Sequence, residues 1–164
     1  MASKGYNQEN DFLLEILDRA FNEHSWHGPN LRASIRGVKV QQALWRPSAK
    51  GHCIWELVLH SAYWKYIVRR KIESGKRGSF ARKGSNWFEP GEPTEVNWKE
   101  DIKLLETEHQ LLCQAVKNMP EDDPRKIPGD SSWSLRQMIL GAASHDLYHA
   151  GQVQLLKRIY KTAK

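Results

Sequence analysis

The chain reads as an all-α protein, a four-helix bundle with long connections between helices one and two and between helices two and three. Three observations carry that reading. Apolar residues recur at alternating spacings of three and four in separate segments, capping patterns precede two of those segments, and no stretch alternates convincingly as a strand does. At 164 residues the chain suits one domain, 1–164, with a core of its own. An apolar share of 40%, including seven Trp, five Tyr and four Phe, supplies that core and argues against disorder.

The first helix is expected from about Asn10 to His24, with Leu13, Ile16, Leu17, Ala20 and Phe21 on one side. The second, about His52 to Ser74, carries Cys53, Leu57, His60, Trp64 and Ile67 along its seam. His60 therefore faces inward. The third helix shows the clearest pattern, with Trp98, Ile102, Leu105, His109, Leu112, Val116 and Met119 in strict alternation of four and three. Asn97 and Glu100 fit an N-cap followed by an acidic residue, and Pro120 ends the run. The fourth begins at Ser134, where Gln137 completes a capping box, and runs to about Tyr160 through Leu135, Met138, Ala142, His145, His149, Val153 and Leu156.

The two connections differ in texture. "SWHGPNLRASIRGVKVQQALWRPSAKG" is punctuated by Gly and Pro and predicts irregular structure with room for a short helical turn. "GKRGSFARKGSNWFEPGEPTEVN" is equally rich in Gly and Pro yet holds Phe80, Trp87 and Phe88. A loop that long either carries function or crosses the bundle.

Charge and cysteine usage narrow the functional classes. The formal net charge is +6, and eight basic residues fall between Lys65 and Lys83 against the single acid Glu73. From Gly84 to Asp123 ten acids face three lysines, so the two segments can neutralise each other within the fold. A basic nucleic-acid-binding module is thus an alternative, disfavoured because no helix-turn-helix, zinc-finger or RNA-recognition pattern accompanies the charge. No stretch approaches the roughly 20 apolar residues of a membrane span, and the N-terminal residues lack a signal-peptide pattern, so a soluble, cytoplasmic protein is expected. Cys53 and Cys113 lack C-x-x-C spacing and read as buried free thiols.

The segment "SHDLYHAG" carries the chemistry. His145 and His149 stand four apart, so their imidazoles share one helical face and can converge on one ion. His60 on the second helix is the candidate third ligand. Three neutral imidazoles leave a position open, the pattern of a reactive zinc site and not of a closed structural one. Zinc is the default, although imidazole also suits nickel, iron and copper. The bland reading keeps weight: a histidine on an apolar seam is usually a hydrogen-bonded core residue, as expected for His109, and His24, His27 and His52 fall at helix ends or in loops where capping or solvent explains them.

"HDLYH" also invites comparison with the H-E-x-x-H metalloprotease motif. Asp146 is one methylene shorter than the glutamate of that motif, and no acid or histidine follows His149, so protease chemistry is disfavoured.

"IWELVLHSAYWKYIVRRKI", "GSNWFEP" and "WSLRQMILGAASHDLYHAGQVQLLKR", with "SWHGPNL" and "LWRP" in the first third, resemble the DinB/YfiT-like superfamily from about Asp11 to Arg158. The resemblance implies a four-helix bundle of unusual topology, often a homodimer, with a divalent metal held by one histidine of the second helix and two of the fourth. On this sequence those are His60, His145 and His149, the trio that spacing had already selected. It further implies an enzyme acting on a small-molecule substrate. Some relatives resemble thiol-dependent S-transferases or isomerases that use a low-molecular-weight thiol such as bacillithiol or mycothiol, and others are described only as metal-dependent hydrolases. A shared fold does not transfer the reaction.

A three-histidine site can turn bound water into hydroxide or hold a thiol as thiolate. Either use needs nearby groups that orient the imidazoles or move protons. Glu56, four residues before His60, is the candidate for that work, whereas Asp146, about 100° round the helix from His145, is expected to pair with another helix. The remaining alternative is a helical protein whose metal is structural or absent.

Overall fold

A computed structural model describes residues 8–74 and 78–163. Among them are four long helices, α1 (Gln8–Phe21), α4 (Ile54–Ile72), α5 (Glu95–Lys117) and α6 (Leu135–Thr162). Two short helices, α2 (Leu31–Ile35) and α3 (Val40–Leu44), fill the first connection, and a 3-10 turn spans Asp123–Arg125. The expected four-helix bundle is therefore present, and the connection read as irregular holds two helices of five residues each. Each makes less than two turns, too few for a periodic pattern to stand out.

Local chemistry sets the helix ends. Ser134 and Gln137 form the expected reciprocal box at the start of α6, the Ser134 N–H donating to Gln137 Oε1 at 2.9 Å and the Gln137 N–H to Ser134 Oγ at 3.3 Å. The start of α5 departs from expectation. Thr94 is the cap, its Oγ1 accepting from the Asn97 N–H at 3.1 Å, so Asn97 lies inside the first turn and donates its own amide to the Glu92 carbonyl. A threonine three residues upstream offers the same capping geometry one turn earlier.

α1 packs on α5 and α6, and α4 packs on the same two helices, so α1 and α4 stand on one diagonal and α5 and α6 on the other. Cross-helix hydrogen bonds fix direction. Trp55 with Asp101 and Lys65 with His109 show that α4 and α5 run parallel, while His60 with His145 and Lys65 with Asp146 mark contact points on α4 and α6. Two adjacent parallel helices cannot be joined by a tight turn. The connection from Glu73 to Thr94 must return along the bundle, which explains its length and carries it past the middle of α4.

Aromatic residues hold that crossing segment down. Phe88 is buried, and Phe80 packs between Tyr63, Tyr66 and Phe88 with centroid separations of 5.1 to 5.5 Å. The apolar interior divides in two, one cluster around Trp55, Trp98 and Val153, the other around Leu17, Leu112 and Ile139. Polar side chains occupy the middle turns between them.

The seam of α4 is the element the sequence places least well. Trp64 is exposed and Ile67 only half-buried, whereas Lys65, Tyr66 and Val68 are buried. A fourth inward position in strict alternation gives way to the next one round, because α4 contacts helices on two sides.

The basic run is largely neutralised in place. Lys65 pairs with Asp146, Arg69 with Glu73 and Glu108, Arg70 with Glu73, Lys71 with Asp130, and Arg82 with Asp101. Lys76 and Arg77 of that run lie outside the described residues. No helix is long and apolar enough to cross a membrane, among the described residues.

Candidate metal centre

α4 and α6 bring His60, His145 and His149 together, and their ligand atoms all lie within 4.8 Å of one another. His60 Nε2 is 3.0 Å from His145 Nε2, which is 2.9 Å from His149 Nε2. The opposite ring nitrogens settle the tautomers of two of them. His60 Nδ1 lies 2.8 Å from the Asn86 carbonyl oxygen and His149 Nδ1 lies 2.6 Å from Gln152 Oε1. Each contact assigns the hydrogen to Nδ1 and leaves the Nε2 lone pair facing the centre of the cluster.

Electrostatics keeps the rings neutral. Burial lowers the His60 pKa, and burial with the neighbouring His149 and His60 lowers His145 to about 3. His149 falls to about 4, again through burial, with its hydrogen bond to Gln152 opposing. His60 and His149 thus turn lone pairs toward His145 Nε2, which donates its hydrogen to them when it carries one and otherwise completes a set of three nitrogen ligands for a cation. The donor set fits a divalent ion: three nitrogens of borderline softness, oriented by hydrogen bonds to a carbonyl and an amide oxygen.

A stack of rings supports His60 from outside. Trp87 of the crossing segment lies face to face with His60 at 3.8 Å and 6°, and His52 lies on the other face of Trp87 at 3.6 Å and 5°. His52 Nδ1 is 3.4 Å from Glu56 Oε2. Glu56 also accepts from Arg46 at 2.5 and 2.8 Å and from the Cys53 N–H at 2.9 Å. Burial would raise the Glu56 carboxyl, but the bonds from Arg46 and Cys53 outweigh it and hold the group below its usual range.

Asn86 is the residue that sequence reasoning missed. Its φ of 65° is left-handed, its carbonyl accepts from His60, and its Oδ1 accepts from the Trp64 indole at 3.0 Å. Nothing in the local sequence announces a carbonyl acceptor in a loop. Gln152 was findable, since it stands three residues after His149 on the same helical face.

A second polar group fills the middle of the bundle. Lys65 and Asp146, both fully buried, form an ion pair, which is the cross-helix role expected for Asp146. Lys65 Nζ is also 3.3 Å from His109 Nδ1, and His109 Nε2 is 3.0 Å from Asp18 Oδ1. His109 is the hydrogen-bonded core histidine its seam position implied, with its ring stacked on Phe21 at 4.0 Å. Cys113 completes a second set of possible ligands with Asp18 and His109, its Sγ 3.4 Å from His109 Nε2. Cys53 is buried and Cys113 half-buried, and both are free.

The bundle and its histidine cluster define a class: an all-helical protein with a site suited to a divalent metal. The chain belongs to the DinB superfamily, whose family model matches residues 23–153. No curated protein and no solved structure matches it.

Proposed function

We propose that the protein is a metal-dependent enzyme that holds one divalent ion on His60, His145 and His149 and acts on a small molecule. The convergence of three Nε2 atoms, with His60 and His149 anchored through Nδ1, carries this reading. Three imidazoles leave coordination positions for solvent or reactant, as reactive sites do. A divalent ion would supply Lewis acidity there, enough to acidify a water or a thiol near neutral pH. The reaction class is accordingly hydrolysis or transfer involving a low-molecular-weight thiol. Zinc is the first assignment, with nickel and iron also suited to imidazole.

The chain's own groups have separate duties in this scheme. Asn86 and Gln152 take the Nδ1 hydrogens and keep two rings pointed at the ion. Glu56 is a positioning residue: its carboxylate is occupied by Arg46, Cys53 and His52, and it acts on His60 through the His52 and Trp87 stack. Homodimeric assembly, which rests on the family alone, and a cytoplasmic setting, which rests on the sequence pattern, belong to the same reading.

Elemental analysis of untagged protein tests the metal. One divalent ion per chain is expected, lost in His145→Ala or His149→Ala while circular dichroism stays helical; metal-free wild type across several supplementation conditions would overturn the reading. A mass-spectrometric screen of metal-loaded protein against electrophiles with low-molecular-weight thiols, and against esters and amides, then separates the two reactions. Thiol adducts absent in His60→Ala mark transfer, and cleavage products mark hydrolysis.

A further inference from the structure

Beside the histidine cluster lies a cleft of about 600 Å3, and both His60 and His145 line it. It follows the groove between the two helices. Trp64 and Val68 stand one and two turns after His60 on α4, and Ala142 and Met138 stand about one and two turns before His145 on α6. Trp133, just ahead of α6, closes the far wall.

Two features set this cleft apart from the rest of the surface. Among the described residues no Asp, Glu, Lys or Arg lines it, in a chain where 27% of residues are charged. Its walls also leave large indoles accessible, Trp133 at 61% and Trp64 at 38%. The larger cleft nearby, about 890 Å3, is the opposite case: Arg70, Lys71, Arg82 and Lys83 line it. An apolar, aromatic-walled groove with a few polar groups at one end is the usual make-up of a small-molecule pocket, and exposed indoles mark it as a surface that something covers.

We infer that this cleft binds the uncharged apolar body, aryl or branched alkyl, of the molecule whose polar end reaches the histidine cluster. The inference rests on the metal-centre reading above. Its volume matches a small-molecule site, and small residues make the room: a Cβ added at Gly141 would meet no atom of the described residues within 4 Å. Asn86 joins the two halves of the site, because it anchors His60 through its carbonyl and the Trp64 wall through its side chain. The apolar body therefore selects among substrates, and the ion treats them alike.

Cobalt-substituted protein tests this with two probes, acetohydroxamate and benzohydroxamate, titrated by their effect on the cobalt absorption bands. Both bring the same metal-binding group, so acetohydroxamate reads the ion and the affinity ratio reads the cleft. Benzohydroxamate is expected to bind about thirtyfold more tightly, a figure set by burying one phenyl ring. Trp64→Ala, at an exposed position, and Gly141→Leu, which fills open space, should each reduce the ratio to about threefold or less while cobalt and acetohydroxamate still bind.

Equal affinities in the wild type, or a preference unchanged in both variants, would overturn the cleft assignment and leave the metal centre standing. A second copy of the chain seated over Trp64 and Trp133, detected by sedimentation together with equal affinities, would overturn it in the same way. Failure to take up cobalt would overturn the metal-centre reading and this inference with it.

Discussion

Two polar clusters share the middle of the bundle, and each contains histidine, yet their hydrogen bonds point them to opposite ends. At His60, His145 and His149 the outer nitrogens of two rings are satisfied, so the His60 and His149 lone pairs converge on His145 Nε2. At His109 the Lys65 ammonium donates to Nδ1, so the remaining hydrogen sits on Nε2 and is given to Asp18. The first cluster offers nitrogen lone pairs with no charged group among them, a donor set suited to an added cation. The second already contains one, as Lys65. Donor atoms within a few ångströms are therefore not enough to make a metal site: Asp18, His109 and Cys113 meet that criterion, but a metal on His109 Nε2 would turn an N–H toward the lysine. Burial pushes the Cys113 thiol up to about 12, with the Asp18 carboxylate adding to it, which further disfavours thiolate ligation.

The largest expected effect that separates the clusters is on stability. Lys65→Met strands the buried Asp146 carboxylate and should cost about 3–5 kcal/mol in urea denaturation, while Lys65→Met with Asp146→Leu recovers most of the loss. In the metal-free protein His145→Ala should cost only about 1 kcal/mol, since it removes a ring facing other lone pairs. Equal losses would erase the distinction.

Metal affinity should move the other way. Gln152→Ala frees the His149 ring and should weaken binding about 10–100-fold by competition with a chromophoric chelator. Asp18→Asn should leave affinity unchanged.

Acid sharpens the comparison through His109, whose pKa burial and the Lys65 charge depress from 6.5 to about 2. Because the folded value lies below the unfolded one, the unfolded chain takes up the proton first as pH falls. Stability from this group is complete above about pH 6.5 and declines below it, by roughly 2 kcal/mol at pH 5. Zinc should offset the parallel loss from His145 and His149 but not this one, so zinc-loaded protein retains part of the slope in denaturation at pH 7 and pH 5.

The smallest effect is that of Asn86→Gly. Asn86→Gly suits the positive φ and keeps the carbonyl that His60 needs, so metal affinity should hold while the Trp64 hydrogen bond is lost. Asn86→Val, β-branched at the same φ, should cost about 1–3 kcal/mol and weaken the metal site too.

Much of this was legible in the sequence, and what was not has physical reasons. The trio could be read because two ligands stand at i and i+4 and the third sits at mid-helix on another seam. The long helices were legible from periodicity, but α2 and α3 were too short to show any. Lys65 was hidden inside a basic run, its partner Asp146 lying on a different helix, and no local pattern distinguishes a buried lysine from a solvated one. Trp64 was placed inward by its spacing and stands instead on the cleft wall, because α4 turns its buried face as it passes between α5 and α6. The stack of His52, Trp87 and His60 joins residues from three segments and has no signature in any of them.

X-ray absorption at the zinc edge of zinc-loaded protein tests the central claim most directly, because it reads ligand type without reference to activity. Three imidazole nitrogens near 2.0 Å with light-atom neighbours and no sulfur are expected. In protein freed of added thiol, a sulfur shell near 2.3 Å would place the ion at a cysteine and contradict the assignment to His60, His145 and His149.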